Sequence, residues 1–424
     1  MNPSSLPEMA GLANEPVARR SLDANQCALV VIDMQEKLLN AAQNREELVR
    51  NCRLLIRLAH ILEIPVLVTT QYSRGLGATA GEITELLPGV QPLDKMEFGC
   101  FGLEEFRSSL HELPGHRTTL LLAAATQPAL RQVGMLDLPG RPGFDELALA
   151  HGMILVSHGG AGTVDLFDPQ KRRVVGHIRE MSSPRGVVAD EAARLVYIAN
   201  SGASNIVVVS TVNWQVQRTI PLDSAPDSLF LLPAEHLLYV TFPGAQSVAV
   251  IDLASNGLPV SRASVEGQPS AFAYDPSRGQ LFLTLQDRRS ILVLNRALKT
   301  LSHIDLNASE PTGIVFSAKH DRLYVAVRYA VLALDPGTGQ EVSRSAVAGG
   351  IDQIVLDDAS NSLVGVSNGS VFVIPDGASL GPAEEMPVDV KGHTLAYDSA
   401  TATIYLPGGR EGRSKLLILK LLSK

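Results

Sequence analysis

"HRTTLLLAAATQPALRQVGMLDLPG", residues 116–140, holds the point at which this 424-residue chain changes architecture. Its first part contains "TTLLLAA" (118–124), a short continuous apolar run of the kind that forms a strand buried on both faces of a parallel sheet. Its last part, "RQVGMLDLPG" (131–140), matches in pattern "QRTIPLDSAP" (217–226), which closes one unit of a repeat running to the end of the chain. Two unlike modules meet here.

Downstream, the repeat has a period of about 42 residues without helical patterning, which indicates propeller blades. Turn residues that precede the first strand of each unit fall at Gly143, Pro184, Pro226, Pro269, Pro311, Ile351 and His393, so seven blades are expected. Second strands read "MILVSH", "LVYIAN", "LLYVTF", "LFLTLQ", "LYVAVR", "LVGVSN" and "TIYLPG". Third strands run from "VDLFD" (164–168) to "LLILK" (416–420), and short β-rich runs between Gly, Asn, Asp and Pro are antiparallel strands. The last unit ends without a fourth strand. "RQVGMLDLPG" supplies one, which would close the ring beside "LLILK" and remove an open sheet edge. The repeat resembles the YVTN-type seven-bladed propellers, a broad group that includes lactonase-like and quinoprotein-like rings, over about residues 130–424.

Upstream, "CALVVID" (27–33) and "IPVLVTT" (64–70) read as further buried strands. Between them Asn44 and Glu47 form a capping-box-like helix start, followed by Leu48, Cys52, Leu55, Ala59 and Leu62 at helical spacing. Together these make a βαβ unit. With "VVIDMQ" (30–35), "PVLVTTQY" (65–72) and "DKMEFGCF" (94–101), this segment resembles the isochorismatase-like cysteine hydrolases, which include nicotinamidases. In that family the Asp of the D-M-Q motif activates a cysteine and a Lys completes the triad; the matching positions are Asp33 and Lys95. An acid at the carboxyl end of a strand stands where open α/β sheets bind ligands, and a carboxylate with an ammonium can generate and steady a thiolate.

The resemblance stops short of the nucleophile. The family places its cysteine just after the strand that here reads "TTLLLAA", where this chain has "AATQPALRQV". The three cysteines are Cys27, Cys52 and Cys100. Cys27 begins the strand that Asp33 ends, about 20 Å away at 3.3 Å per residue, and Cys52 lies on the apolar helix face. Only Cys100, near Lys95 in sequence, remains as a substitute. The expected organisation is therefore a flexible tail at 1–25, a truncated three-layer α/β domain at 26–126 and an all-β seven-bladed propeller at 127–424.

First-strand starts in propellers converge on the channel, which places Asp145, Arg185, Asp227, Thr312, Asp352 and His393 around one mouth. Turns between second and third strands are expected to add His158, Asn200, Arg288, Arg328, Asn368 and Arg410. Mixed acid and base around a concave mouth suits a polar small molecule or a peptide. The histidines show no zinc spacing, so neither metal nor cofactor is expected. "SHGGAG" (157–162) lacks the Lys and helix of a phosphate loop and reads as a hairpin turn.

The net charge of −8 is shared between the modules, since residues 1–126 carry 11 Lys and Arg against 15 Asp and Glu. No basic region exists to neutralise phosphates, which argues against nucleic acid. No run of about 20 apolar residues and no signal-peptide core occurs. The sparse cysteines fit a reducing compartment, so a cytoplasmic protein without membrane contact is expected. A truncated sheet leaves an apolar edge unpaired, inviting self-association. Three functions are compatible with these features: a binding scaffold on a catalytically incomplete hydrolase fragment, a cysteine hydrolase completed by another chain or by Cys100, and a lactonase-like propeller enzyme.

Overall fold

The computed structural model describes residues 24–41, 45–96, 100, 103–113, 119–124, 130–255 and 259–422. Asn44 and nearly all of the expected tail lie outside them. The chain divides into two compact units, residues 1–128 and 129–424.

In the first unit, strands β1 (Cys27–Ile32), β2 (Val66–Gln71), β3 (Leu93–Lys95) and β4 (Thr119–Ala124) form one parallel sheet in the order β3-β2-β1-β4. β1 is central, and its "CALVV" is wholly buried, as a strand covered on both faces must be. Three-residue β3 escapes sequence reading because alternation needs more residues to show, yet it is the strand that delivers Lys95. On the sheet lies α2 (Arg45–Ile61), preceded by α1 (Glu36–Ala41).

α2 corrects the expected helix register. Its buried stripe is Val49, Cys52, Ile56 and Ala59. Leu48 and Leu55 are only partly covered and Leu62 is 45% exposed. The helix carries a second apolar stripe on its outer face, Leu54, Leu58 and Ile61, at spacings of four and three. Two stripes in one 17-residue helix blur the period from which a single face is read.

The second unit is seven four-stranded antiparallel sheets. Blade 1 spans Phe144–Ala150, Met153–His158, Thr163–Asp168 and Arg173–Ile178; blades 2 to 6 repeat the order through Pro387. Second and third strands are almost wholly buried, while fourth strands such as Val216–Pro221 alternate little and face water. The cores lie between blades: Tyr197 and Ile206 of blade 2 pack with Leu238 and Val240 of blade 3. Each such side chain contributes about 1.5–3 kcal/mol by leaving water.

Blade 7 joins the two ends of the ring. Ala396–Asp398, Thr403–Arg410 and Arg413–Leu421 receive Leu130–Asp137 as their fourth strand, with Leu130 opposite Leu421 and Met135 opposite Leu417. Lys415 Nζ reaches Asp137 Oδ1 at 2.6 Å. Leu417 and Leu419 pack against Val364 and Val366 of blade 6, and Leu416 and Ile418 against Ile154 and Phe167 of blade 1. The ring is closed on both sides, as the match between residues 131–140 and 217–226 predicts.

Candidate functional site

Two groups of polar side chains stand at strand ends, one in each unit. In the first unit β1 stops at Ile32 because Asp33 turns into the left-handed region, φ 54°, an uncommon and mildly strained conformation for an aspartate. Its N–H is held by the Thr69 carbonyl at 3.1 Å. Asp33 Oδ2 accepts from Lys95 Nζ at 2.6 Å, and Oδ1 accepts from Thr69 Oγ1 at 3.0 Å. The Lys95 ammonium also donates to Gln71 Oε1 at 2.7 Å and is 1% exposed. Gln35 of the D-M-Q motif locks the floor: its Oε1 accepts from Gln71 N–H at 2.8 Å and its amide donates to the Gln71 and Gly77 carbonyls. A buried charge pair persists only when hydrogen-bonded on all sides in this way.

Thr69 escapes sequence reading, because a threonine in a strand is read as a β-former. Its hydroxyl lies 3.8 Å from Cys100 Sγ, so Cys100, Thr69 and Asp33 form a chain of contacts. Cys100 itself is 8% exposed and packs with Val30 and Phe106. Burial pushes the Cys52 thiol up to about 11, as expected of a thiol on the apolar face of a helix.

In the propeller, Asp145, Arg185, Asp227, Asp352 and His393 line one cavity of about 440 Å³. Arg185 bridges two acids, 3.2 Å from Asp145 and 3.3 Å from Asp227. His393 Nδ1 lies 3.2 Å from Asp352 Oδ2 and its Nε2 3.1 Å from the Phe144 carbonyl. Both neighbours can only accept, which favours a proton on each ring nitrogen, and the hydrogen bond to Asp352 raises the imidazole pKa. Glu146, unremarked in the sequence, lies in the same wall and takes a hydrogen bond from Ser228 Oγ at 2.6 Å. Burial, with the Asp145 and Asp227 charges adding, pushes its carboxyl up to about 8. Burial also raises Asp145 and Asp227, against the pull of Arg185.

Residues 27–123 match the isochorismatase domain family. They form an isochorismatase domain. The chain is 30% identical over 140 residues to a secreted isochorismatase effector of Phytophthora sojae, an alignment of 32% of this chain and 66% of that one. It is 34% identical over 113 residues to isochorismatase domain-containing protein 1 of Danio rerio (27% and 38%) and 33% identical over 130 residues to isochorismatase domain-containing protein 2 of Macaca fascicularis (30% and 60%). The chain thus spans between about two fifths and two thirds of the length of these relatives. Among solved structures, chains of a mitotic checkpoint complex (TM-score 0.59, 11% identity, 68% of this chain and 91% of that one) and of virginiamycin B lyase from Staphylococcus aureus (0.58, 13%, 69% and 100%) share the fold. An isochorismatase domain is therefore fused to a seven-bladed propeller, and the hydrolase part is fragmentary.

Several expected mouth residues stand elsewhere. His158 is fully buried, its Nδ1 2.7 Å from Asp165 Oδ2 and its Nε2 2.7 Å from the Arg141 carbonyl; Asp165 also meets His177 and Thr163. Asn200 is 4% exposed and ties Ser182 to Asn205. Both end a second strand, where a polar side chain satisfies the adjoining hairpin. Thr312 lines the cavity wall with its hydroxyl turned to the Ile351 carbonyl at 2.5 Å. Arg288 and Arg328 are exposed and Arg410 is half-buried, bonded to the Glu266 carbonyl, Glu310 and Asp389 respectively, and Asn368 is exposed. "SHGGAG" is a hairpin turn, with Gly162 at φ 66°. Among the described residues no three His, Cys, Asp or Glu side chains come together as a cation requires, and no helix is long and apolar enough to cross a membrane.

Proposed function

We propose that the propeller is the working part of this chain, a scaffold of the YVTN type that binds a small polar molecule or a peptide at its mouth. The catalytically incomplete isochorismatase domain is carried with it. One observation supports this above the rest: the cavity holding Asp145, Arg185, Asp227, Asp352 and His393 belongs to a ring whose seventh blade is completed by Leu130–Asp137. A rigid scaffold with convergent polar groups is the usual form of a binding site. Carboxylates predominate at the mouth and disfavour nucleic acid. The free, buried cysteines suit the cytoplasm. On the hydrolase side, β4 has a strand partner on one side only among the described residues, and α2 presents Leu54, Leu58 and Ile61, so self-association goes through this half. The test is an NMR titration of the full chain with N-acetylglycinamide and, separately, with ethylamine. Shifts at the mouth that vanish in Asp227→Asn are expected; unchanged spectra would remove the reading.

A cysteine hydrolase is the second reading, and the Cys100–Thr69–Asp33 contact chain favours it. In it the thiol proton passes through Thr69 to Asp33, the thiolate bonds to an amide carbon, the C–N bond breaks with the proton going to the leaving amine, and water cleaves the thioester. Nicotinamide hydrolysis abolished by Cys100→Ser would establish this reading. The first reading expects no hydrolysis in either protein, because Cys100 packs among Val30 and Phe106.

A further inference from the structure

The mouth does not end at its polar ring. His393 stands in the walls of two hollows, the mouth itself and a second of about 500 Å³ bounded by Pro142, Phe144, Pro407 and Gly409, with Lys391 and Glu411 also in its lining. Glycine makes this second hollow. A Cβ at Gly409 would sit 3.1 Å from Pro142, narrowing it directly. Phe144 and Asp145 are neighbours on the first strand of blade 1, so one wall residue of each hollow is separated by a single step of about 3.3 Å.

The two hollows differ in chemistry. In the mouth, Asp145, Asp227 and Asp352 face Arg185 and His393, leaving one carboxylate charge without a cation, and Glu146 stands beside them as a further acid. In the crevice the walls are mostly proline, phenylalanine and glycine, and apart from the shared His393 the single base and single acid of its lining, Lys391 and Glu411, offset one another. An anion is disfavoured at the first position, and an apolar group is favoured over a charged one at the second. A single-charged amine with an apolar group one or two carbons away satisfies both.

We propose that the propeller takes a small amphipathic monocation, an aryl- or alkylamine, with its ammonium among Asp145, Glu146 and Asp227 and its apolar group past His393 against Phe144, Pro142 and Pro407. This rests on the mouth being the binding site. Burying a phenyl group in the crevice strengthens binding about tenfold or more over an amine that lacks it.

Calorimetric titration of the full chain with phenethylamine, ethylamine, phenylacetate and N-acetylglycinamide tests it. The expected order is phenethylamine at least tenfold tighter than ethylamine, with phenylacetate not binding. Asp227→Asn should weaken both amines, whereas Gly409→Ala should weaken phenethylamine alone. Equal affinity of the two amines, or binding of phenylacetate in place of phenethylamine, overturns the proposal. If N-acetylglycinamide binds in an Asp227-dependent way while neither amine does, the mouth remains a binding site and the amphipathic amine falls. If no probe binds, both fall.

Discussion

β4 and the next strand along the chain, Leu130–Asp137, have opposite fates. β4 pairs with β1 on one side, and on its other side no strand pairs with it among the described residues. Leu130–Asp137 finds its partner in Arg413–Leu421, at the far end of the chain. The difference lies in how each architecture shares its work. A propeller is a set of near-equivalent blades, so its ends fall within a blade and one borrowed strand restores the whole. An open α/β sheet gathers its chemistry from the ends of several strands, so a cut after β4 keeps Asp33 and Lys95 and loses any group borne on later strands. The ring tolerates where it is divided; the sheet does not.

The sharpest way to break this comparison is at the ring's seam. Leu417 is fully buried opposite Met135, and Leu417→Asp places an unpaired charge there. A loss of about 4 kcal/mol or more is expected in the propeller's denaturant transition, with the isochorismatase domain unfolding as before. An unchanged midpoint would mean that closure carries little of the ring's stability.

Next in size is the relic pair. Lys95→Met leaves Asp33 buried without its ammonium and should cost the first unit about 3–5 kcal/mol. Adding Asp33→Asn should return much of it. Far-UV circular dichroism resolves the helical unit from the β-ring, and equal losses in the single and double variants would show that packing, not charge, is responsible.

A smaller effect is expected from the mouth. Glu146, held at about 8 against an ordinary 4.5, keeps its proton in the folded ring where the unfolded chain has released it. Its contribution is full below about 4.5 and is lost as pH rises through about 8. Asp145, Asp227 and His393, all raised, act in the same direction. The propeller's Tm should fall across this window, and Glu146→Gln should flatten the slope.

The smallest signal is chemical. With all three thiols buried, and Cys52 pushed up to about 11, iodoacetamide at neutral pH should label the native chain far more slowly than the unfolded one. Fast labelling confined to Cys100 would sharpen the hydrolase reading.

The sequence shows most where the physics is local and repeated. The seven turn positions and the pattern "RQVGMLDLPG" suffice for the ring and its seam, because each blade repeats the same alternation of buried strands and polar turns. Asp33 and Lys95, picked out by their motifs, stand 2.6 Å apart. The features that stay hidden depend on three-dimensional neighbours. α2 carries two apolar stripes, so its inner face is fixed only by the surface it packs on. His158 and Asn200 look like mouth residues by position but are buried, since burial is decided by the adjoining hairpin and blade. Glu146 looks like any acid beside Asp145 until the cavity wall desolvates it. Thr69 is silent in a strand until Cys100 and Asp33 stand on either side of its hydroxyl.

The seam also sets a timetable. Leu130–Asp137 leaves the ribosome well before its partner Arg413–Leu421. At 5–20 residues per second the first strand waits about 15–60 s for the second. During that interval six blades can assemble in order while the seventh lacks three of its strands. The ring closes only once Arg413–Leu421 has emerged, and a chain released before that point would leave Leu130–Asp137 free to pair with a neighbour's nascent ring.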